Sequence, residues 1–234
     1  MGPDRMLGIL GGMGPLATAD FFHELVLATP AENDAGQIPV VLSSVPQIPD
    51  RVGPIMTGSG PSPLPALIAE RHRLVAAGAR CIAMPCNTAH YWIKELREGS
   101  PVPFLSIIDA ALDAVRASGA KTLGLLGTTA TLHAGFYQRT LKDAGFQVVV
   151  PSEHDQAECV SVAIALVKKG RITEARRLFH DVIAKLESAG ATATLLACTE
   201  VPAALRDDPA WLAGHCIDAT SALAAAAVRW AFNR

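Results

Sequence analysis

The chain has 234 residues, half of them hydrophobic, with 20 Lys and Arg set against 22 Asp and Glu for a formal charge of −2. That composition supports a packed core and excludes long disorder, and the charge balance leaves no basic field for nucleic acid or an anionic membrane surface. The length allows one large domain or two small ones.

In chain order, a strand over 6–10 leads through a glycine turn to a helix over 15–28, and a second strand over 39–43 opens onto the irregular, Pro-rich stretch 46–65. A helix over 64–77, a strand over 81–84, a helix over 87–98 and a strand over 104–106 follow. The pattern then repeats: helix 108–117, strand 122–126, helix 130–144, strand 147–150, helices 155–168 and 172–188, strand 193–197, strand 215–217 and helix 219–232. Alternating apolar strands and amphipathic helices specify an α/β fold of parallel crossover units.

The two halves of the chain resemble each other. Gly8-Ile9-Leu10-Gly11-Gly12 is echoed by Gly124-Leu125-Leu126-Gly127-Thr128, and Ile82-Ala83-Met84-Pro85-Cys86-Asn87-Thr88 by Leu195-Leu196-Ala197-Cys198-Thr199-Glu200. The expectation is two similar parallel-sheet α/β halves related by a pseudo-twofold axis, 1–106 and 107–234, with part of the C-terminal helix packing on the first. A site would then lie in the cleft between them, where strand ends meet a ligand.

Each half places a cysteine where a strand hands over to a helix. Backbone N–H groups at a helix start favour a thiolate, although a lone free cysteine is more often a small core residue. Proton exchange at a carbon needs a base on one face and an acid on the other, and one thiolate with one thiol meets that need. Asn87, Thr88 and Thr199, with Thr128 and Thr129 after the mirrored strand, are donors able to stabilise a carbanion's carboxylate; capping is their ordinary role. Cys81, Cys159 and Cys216 read as structural.

Other motifs carry less. Gly12-Met13-Gly14-Pro15-Leu16-Ala17 has the spacing of a dinucleotide fingerprint, but the second strand ends in Leu42, Ser43, Ser44 and Val45 rather than in an acid, which argues against nicotinamide binding. The seven histidines are scattered and no H-E-x-x-H or paired cysteines occur, so no metal is expected. Five cysteines without a C-x-x-C pair read as free thiols. With no leader pattern and no apolar run of the roughly 18 residues a spanning helix needs, the expected location is the cytoplasm.

Taken together, Gly8-Ile9-Leu10-Gly11-Gly12-Met13-Gly14-Pro15-Leu16-Ala17-Thr18-Ala19, Pro46-Gln47-Ile48-Pro49-Asp50-Arg51, Met84-Pro85-Cys86-Asn87-Thr88-Ala89-His90 and Cys198-Thr199-Glu200-Val201 resemble the aspartate/glutamate racemase family, its aspartate racemases above all. The resemblance implies a cofactor-independent amino-acid racemase without pyridoxal phosphate, a homodimer, acting on aspartate and in addition glutamate. It implies Cys86 and Cys198 as catalytic acid and base, Arg51 and Lys168 on the distal carboxylate, and Met13, Asn87, Thr88 and Ala89 lining the site, with Thr199 and Glu200 beside the second cysteine as further substrate-binding residues. Two departures bear on the substrate: Ala197 stands where the family usually has Gly, and Ser44-Val45 where aspartate racemases often have two Asn. Rival readings on the same scaffold are a decarboxylase, a diacid isomerase, a hydantoin racemase or a non-catalytic carboxylate-binding protein.

Overall fold

A computed structural model describes residues 5–233. Among the described residues, eight strands form two four-stranded parallel sheets, and the chain divides into two compact units, Met1–Ala110 with Thr220–Arg234, and Ala111–Ala219.

In the first unit, β1 (Leu7–Gly11), β2 (Val40–Ser44), β3 (Cys81–Ala83) and β4 (Phe104–Leu105) lie in the order β2-β1-β3-β4. Leu7 pairs with Val40 on one side and with Cys81 on the other. A strand flanked on both edges and covered on both faces must be apolar throughout, and all five residues of β1 are buried, whereas the edge strand β2 alternates between half-buried and exposed. The helices are α1 (Pro15–Ala28), α2 (Val52–Met56), α3 (Leu64–Ala76), α4 (Ile93–Arg97) and α5 (Ile107–Ser118), the last running on into the second unit. Leu10, Met13, Leu67, Leu74, Ile82 and Met84 form a shared core.

The second unit repeats the arrangement. β5 (Thr122–Gly127), β6 (Gln147–Val149), β7 (Ala193–Ala197) and β8 (Cys216–Asp218) lie in the order β6-β5-β7-β8, the same order as the first sheet. Its helices are α6 (Thr129–Ala134), α7 (Phe136–Asp143), α8 (Glu153–Asp155), α9 (Val162–Lys168), α10 (Ile172–Ser188), α11 (Glu200–Leu205) and α12 (Pro209–His215). Finally α13 (Ala219–Ala231) returns to the first unit, where Ser221 donates to Glu24 at 3.0 Å. Among the described residues no helix is long and apolar enough to cross a membrane.

Three segments expected as single helices are subdivided. The stretch after Cys86 is a 3₁₀ turn, Thr88–Trp92, before α4 begins. Gly135, at φ 70°, separates α6 from α7. Between α8 and α9 the chain widens into a π-helical turn, Gln156–Ser161, a form that recurs at functional sites. Within the Pro-rich stretch, Asp50 starts α2 by accepting from the N–H groups of Val52 and Gly53 at 2.8 and 3.1 Å.

The turn after β1 requires glycine. Gly12 has φ +93°, and a Cβ there would lie 2.3 Å from the backbone nitrogen of Val45. Its N–H donates to the Thr18 hydroxyl at 2.8 Å, and that hydroxyl donates to the Gly14 carbonyl at 2.8 Å. The glycine therefore admits a close crossing by the chain leaving β2. Gly12→Ala combines an unfavourable φ with a backbone collision and is expected to lower unfolding free energy by about 2 kcal/mol, read as a lower urea midpoint at unchanged slope; an unchanged midpoint would show that the crossing can give way.

Candidate active site

In each sheet the strand order reverses at the second and third positions: between β1 and β3 in the first unit, and between β5 and β7 in the second. Ligands of open α/β sheets sit beyond the carboxyl ends of the strands at such a switch point. Both motif cysteines stand there.

Cys86 follows β3 and is buried, with its N–H on the Met84 carbonyl at 2.8 Å. It packs in one apolar cluster with Met13, Ile48 and Ala89. Asn87 and Thr88 are buried beside it, and the Asn87 carbonyl accepts from the His90 N–H at 3.0 Å. Arg51 is half-buried at the start of α2; its Nη1 donates to the carbonyls of Ile48 at 3.3 Å and Pro49 at 2.9 Å. It pairs with no carboxylate among the described residues. The first unit thus brings Met13, Cys86 and Ala89 together, with Arg51 tied to the same cluster through Ile48.

His90, the last residue of the motif that begins at Met84, is 2% exposed. The Ile107 N–H reaches its Nε2 at 3.1 Å, and its Nδ1 lies 2.8 Å from the Cys86 carbonyl. An N–H can only donate, so Nε2 is the acceptor and Nδ1 carries the proton given to that carbonyl. Burial lowers the imidazole from 6.5 to about 4, so the ring is neutral at pH 7 and serves to pin the backbone of Cys86. Other histidines have different work: His180 and His215 stack on Trp211.

Cys198 follows β7 directly and is 3% exposed. Its thiol donates to Glu200 Oε2 at 3.1 Å, and the Thr199 hydroxyl donates to the same oxygen at 3.3 Å. Burial, then the Glu200 charge and side-chain hydrogen bond, push the Cys198 thiol well above its ordinary range, opposed by the Glu200 backbone N–H and then by the charge of Lys168. This departs from the thiolate expected of a helix start: a short helix's dipole is outweighed by desolvation and a carboxylate in contact. Lys168 is the exposed last residue of α9 and pairs with no carboxylate among the described residues.

At the end of β5, Thr128 caps α6 by accepting from the Thr131 N–H at 3.1 Å. Thr129 is exposed, and its hydroxyl accepts from Gln156 at 3.2 Å; the same amide donates to the Gly127 carbonyl at 3.1 Å. Gln156 was not singled out from sequence, where one Gln in an amphipathic segment carries no signal; the π-helical turn is what aims it at the strand end. The Ala197 methyl is fully buried; a Cβ on Gly127 would meet it at an ordinary 3.6 Å and would crowd only the Ala197 carbonyl oxygen, at 3.2 Å. Cys81 and Cys216 are each pushed up to about 12 by burial, and Cys159 lies half-buried in the π-helical turn.

Residues 10–227 match the family described as Asp/Glu/Hydantoin racemase. The chain is 29% identical over 204 residues to the broad specificity amino-acid racemase RacX of Bacillus subtilis (strain 168), covering 86% of this chain and 87% of that protein. Among solved structures it is similar to the Picrophilus torridus aspartate racemase, with a TM-score of 0.87 and 35% identity over 97% of this chain and 94% of that one. The glutamate racemase of Francisella tularensis subsp. tularensis SCHU S4, at 15% identity and a TM-score of 0.70 over 98% and 82% of the two chains, shares the fold.

Proposed function

The chain belongs to the Asp/Glu/hydantoin racemase family as an amino-acid racemase, and from that premise we propose that it interconverts L- and D-aspartate, with glutamate as a poorer substrate, by direct proton transfer between Cys86 and Cys198 without a cofactor. One observation carries the reading: each unit sets a buried motif cysteine beyond the third strand of an identically ordered sheet, at its switch point. In the proposed mechanism both cysteines act on the Cα of one substrate. One sulfur takes the Cα proton, the other returns a proton to the opposite face, and reversing the roles runs the reaction backwards.

A carbanion next to a carboxylate needs donors already in place. Asn87, Thr88, Thr128, Thr129 and Thr199 supply them in this scheme, with Met13 and Ala89 forming an apolar wall. Arg51 and Lys168 hold the distal carboxylate; what supports this is that neither cation is paired with an acid among the described residues of its own unit. The likeness to the Picrophilus torridus aspartate racemase favours aspartate. The proposal includes a homodimer, for which the exposed Leu16, Phe22, Val26 and Leu27 of α1 offer a covering surface, and a cytoplasmic location, which suits five cysteines not joined in disulfides.

The test is a screen of L-amino acids in D₂O without pyridoxal phosphate, read by chiral chromatography and mass spectrometry. D-aspartate carrying deuterium at Cα is expected to accumulate fastest. Faster inversion of a neutral amino acid would overturn the choice of aspartate, and an absence of Cα exchange with every amino acid would leave a carboxylate-binding protein.

A further inference from the structure

We propose that Glu200 is the proton acceptor that turns Cys198 into a base, taking the thiol's proton once substrate is seated and releasing it after turnover. The inference deepens the two-thiol reading and rests on it. Oε2 of Glu200 receives both the Cys198 thiol at 3.1 Å and the Thr199 hydroxyl at 3.3 Å, and all three residues are buried. The carboxylate therefore turns back onto the sulfur, with the hydroxyl fixing the oxygen that the sulfur faces. A carboxylate repels the carboxylates of an acidic substrate, so a substrate contact by Glu200 would be to the α-ammonium and would leave its place on the sulfur unexplained.

A carboxylate in contact keeps the thiol protonated, so at rest the negative charge sits on oxygen. A protonated thiol cannot remove a proton from carbon until something accepts its own, and Glu200 is the group that Cys198 touches. The charged groups acting on this sulfur are Glu200 itself and, opposing it from the end of α9, Lys168. In the step, the S–H bond of Cys198 breaks, its proton passing to Oε2 and its electron pair remaining on sulfur. The thiolate's pair then bonds the Cα hydrogen as a proton, and the pair of the broken C–H bond stays on carbon. Cys86 protonates the carbanion from the other face and keeps the negative charge, after which Glu200 gives its proton to solvent and Cys86 regains one from solvent.

The test compares the parent protein with Glu200→Gln and Glu200→Asp. Carbamidomethylation of Cys198 by iodoacetamide is followed against pH, peptide by peptide, beside racemase kinetics. Glu200→Gln removes the repelling charge, so Cys198 is expected to become alkylated at lower pH while kcat falls by about 10²-fold or more and KM stays within about twofold. Glu200→Asp retains the charge at shorter reach, so kcat is expected to fall without that shift. Unchanged alkylation of Cys86 reports that the fold is intact, and Glu200→Asp supplies the test if Glu200→Gln does not fold. An unmoved Cys198 profile in Glu200→Gln, kcat within about twofold of the parent in either variant, or a rise in KM with kcat preserved each overturns the proposal. A parent that inverts no amino acid, yet whose Cys198 profile still shifts in Glu200→Gln, overturns the racemisation reading and leaves the coupled pair standing.

Discussion

Cys86→Ala and Cys198→Ala each lower racemisation of aspartate by at least about 10³-fold, while the remaining thiol continues to exchange the Cα hydrogen of one enantiomer. Inversion needs a proton removed from one face and another delivered to the opposite face, so either sulfur alone completes half of the sequence. Each variant is expected to wash deuterium from D₂O into a single enantiomer without inverting it, and the enantiomer differs between the two variants. Mass spectrometry of L- and D-aspartate incubated separately with each variant reads this directly. Racemisation at the parental rate in either variant would overturn the two-thiol mechanism. Cys81→Ala provides the contrast: that thiol is fully buried at the start of β3 and pushed up to about 12, and its loss affects packing rather than proton transfer.

The second large effect concerns acid stability and His90. Its folded value of about 4 lies below the ordinary 6.5 because burial strips water from the charged ring, an effect that outweighs the opposing hydrogen bond to the Cys86 carbonyl. Between those two values the unfolded chain binds the extra proton and the folded chain does not, so stability rises with pH across the window and is lost as pH falls through it. The full loss is about 3 kcal/mol. Urea unfolding of the parent at pH 7 and at pH 4, set beside the same pair for His90→Asn, isolates the contribution. The variant is expected to be less stable at pH 7, where a buried N–H and carbonyl lose their partners, and to show a shallower decline on acidification. An equal decline in both proteins would mean that the ring titrates freely. His90→Asn is also expected to lower racemase activity, since the ring secures the carbonyl of the residue that carries the first thiol.

The eight strands were legible because each is a short apolar run bounded by turn residues, and a parallel sheet covered on both faces demands such runs. Positions of the two motif cysteines followed from the repeated strand-to-helix context. Subdivisions of the helices were not legible: the break at Gly135 and the π-helical turn at Gln156–Ser161 depend on how each segment meets its sheet, and a periodic apolar pattern passes through both unaltered. Which of the two cysteines is the thiol was not legible either, for a similar reason. Sequence shows a cysteine entering a helix, which lowers a thiol's value, but the rotamer that brings the Glu200 carboxylate back onto sulfur exists only in three dimensions. His90 shows the same limit, because Ile107 lies seventeen positions further along the chain.

The first unit is assembled from both sides of the second: its sheet comes from the early part of the chain, and α13 joins it after residue 219. Buried Ala222, Leu223, Ala224, Ala227 and Ala231 on that helix complete its packing. During synthesis the usual rule that the earlier domain folds first is therefore inverted. The contiguous stretch bearing Cys198 can close while the ribosome is still translating, whereas the body holding Cys86 must wait for α13 to emerge. A fusion or deletion engineered downstream of Ala219 thus acts on the thiol that is distant in sequence and spares the one that is near.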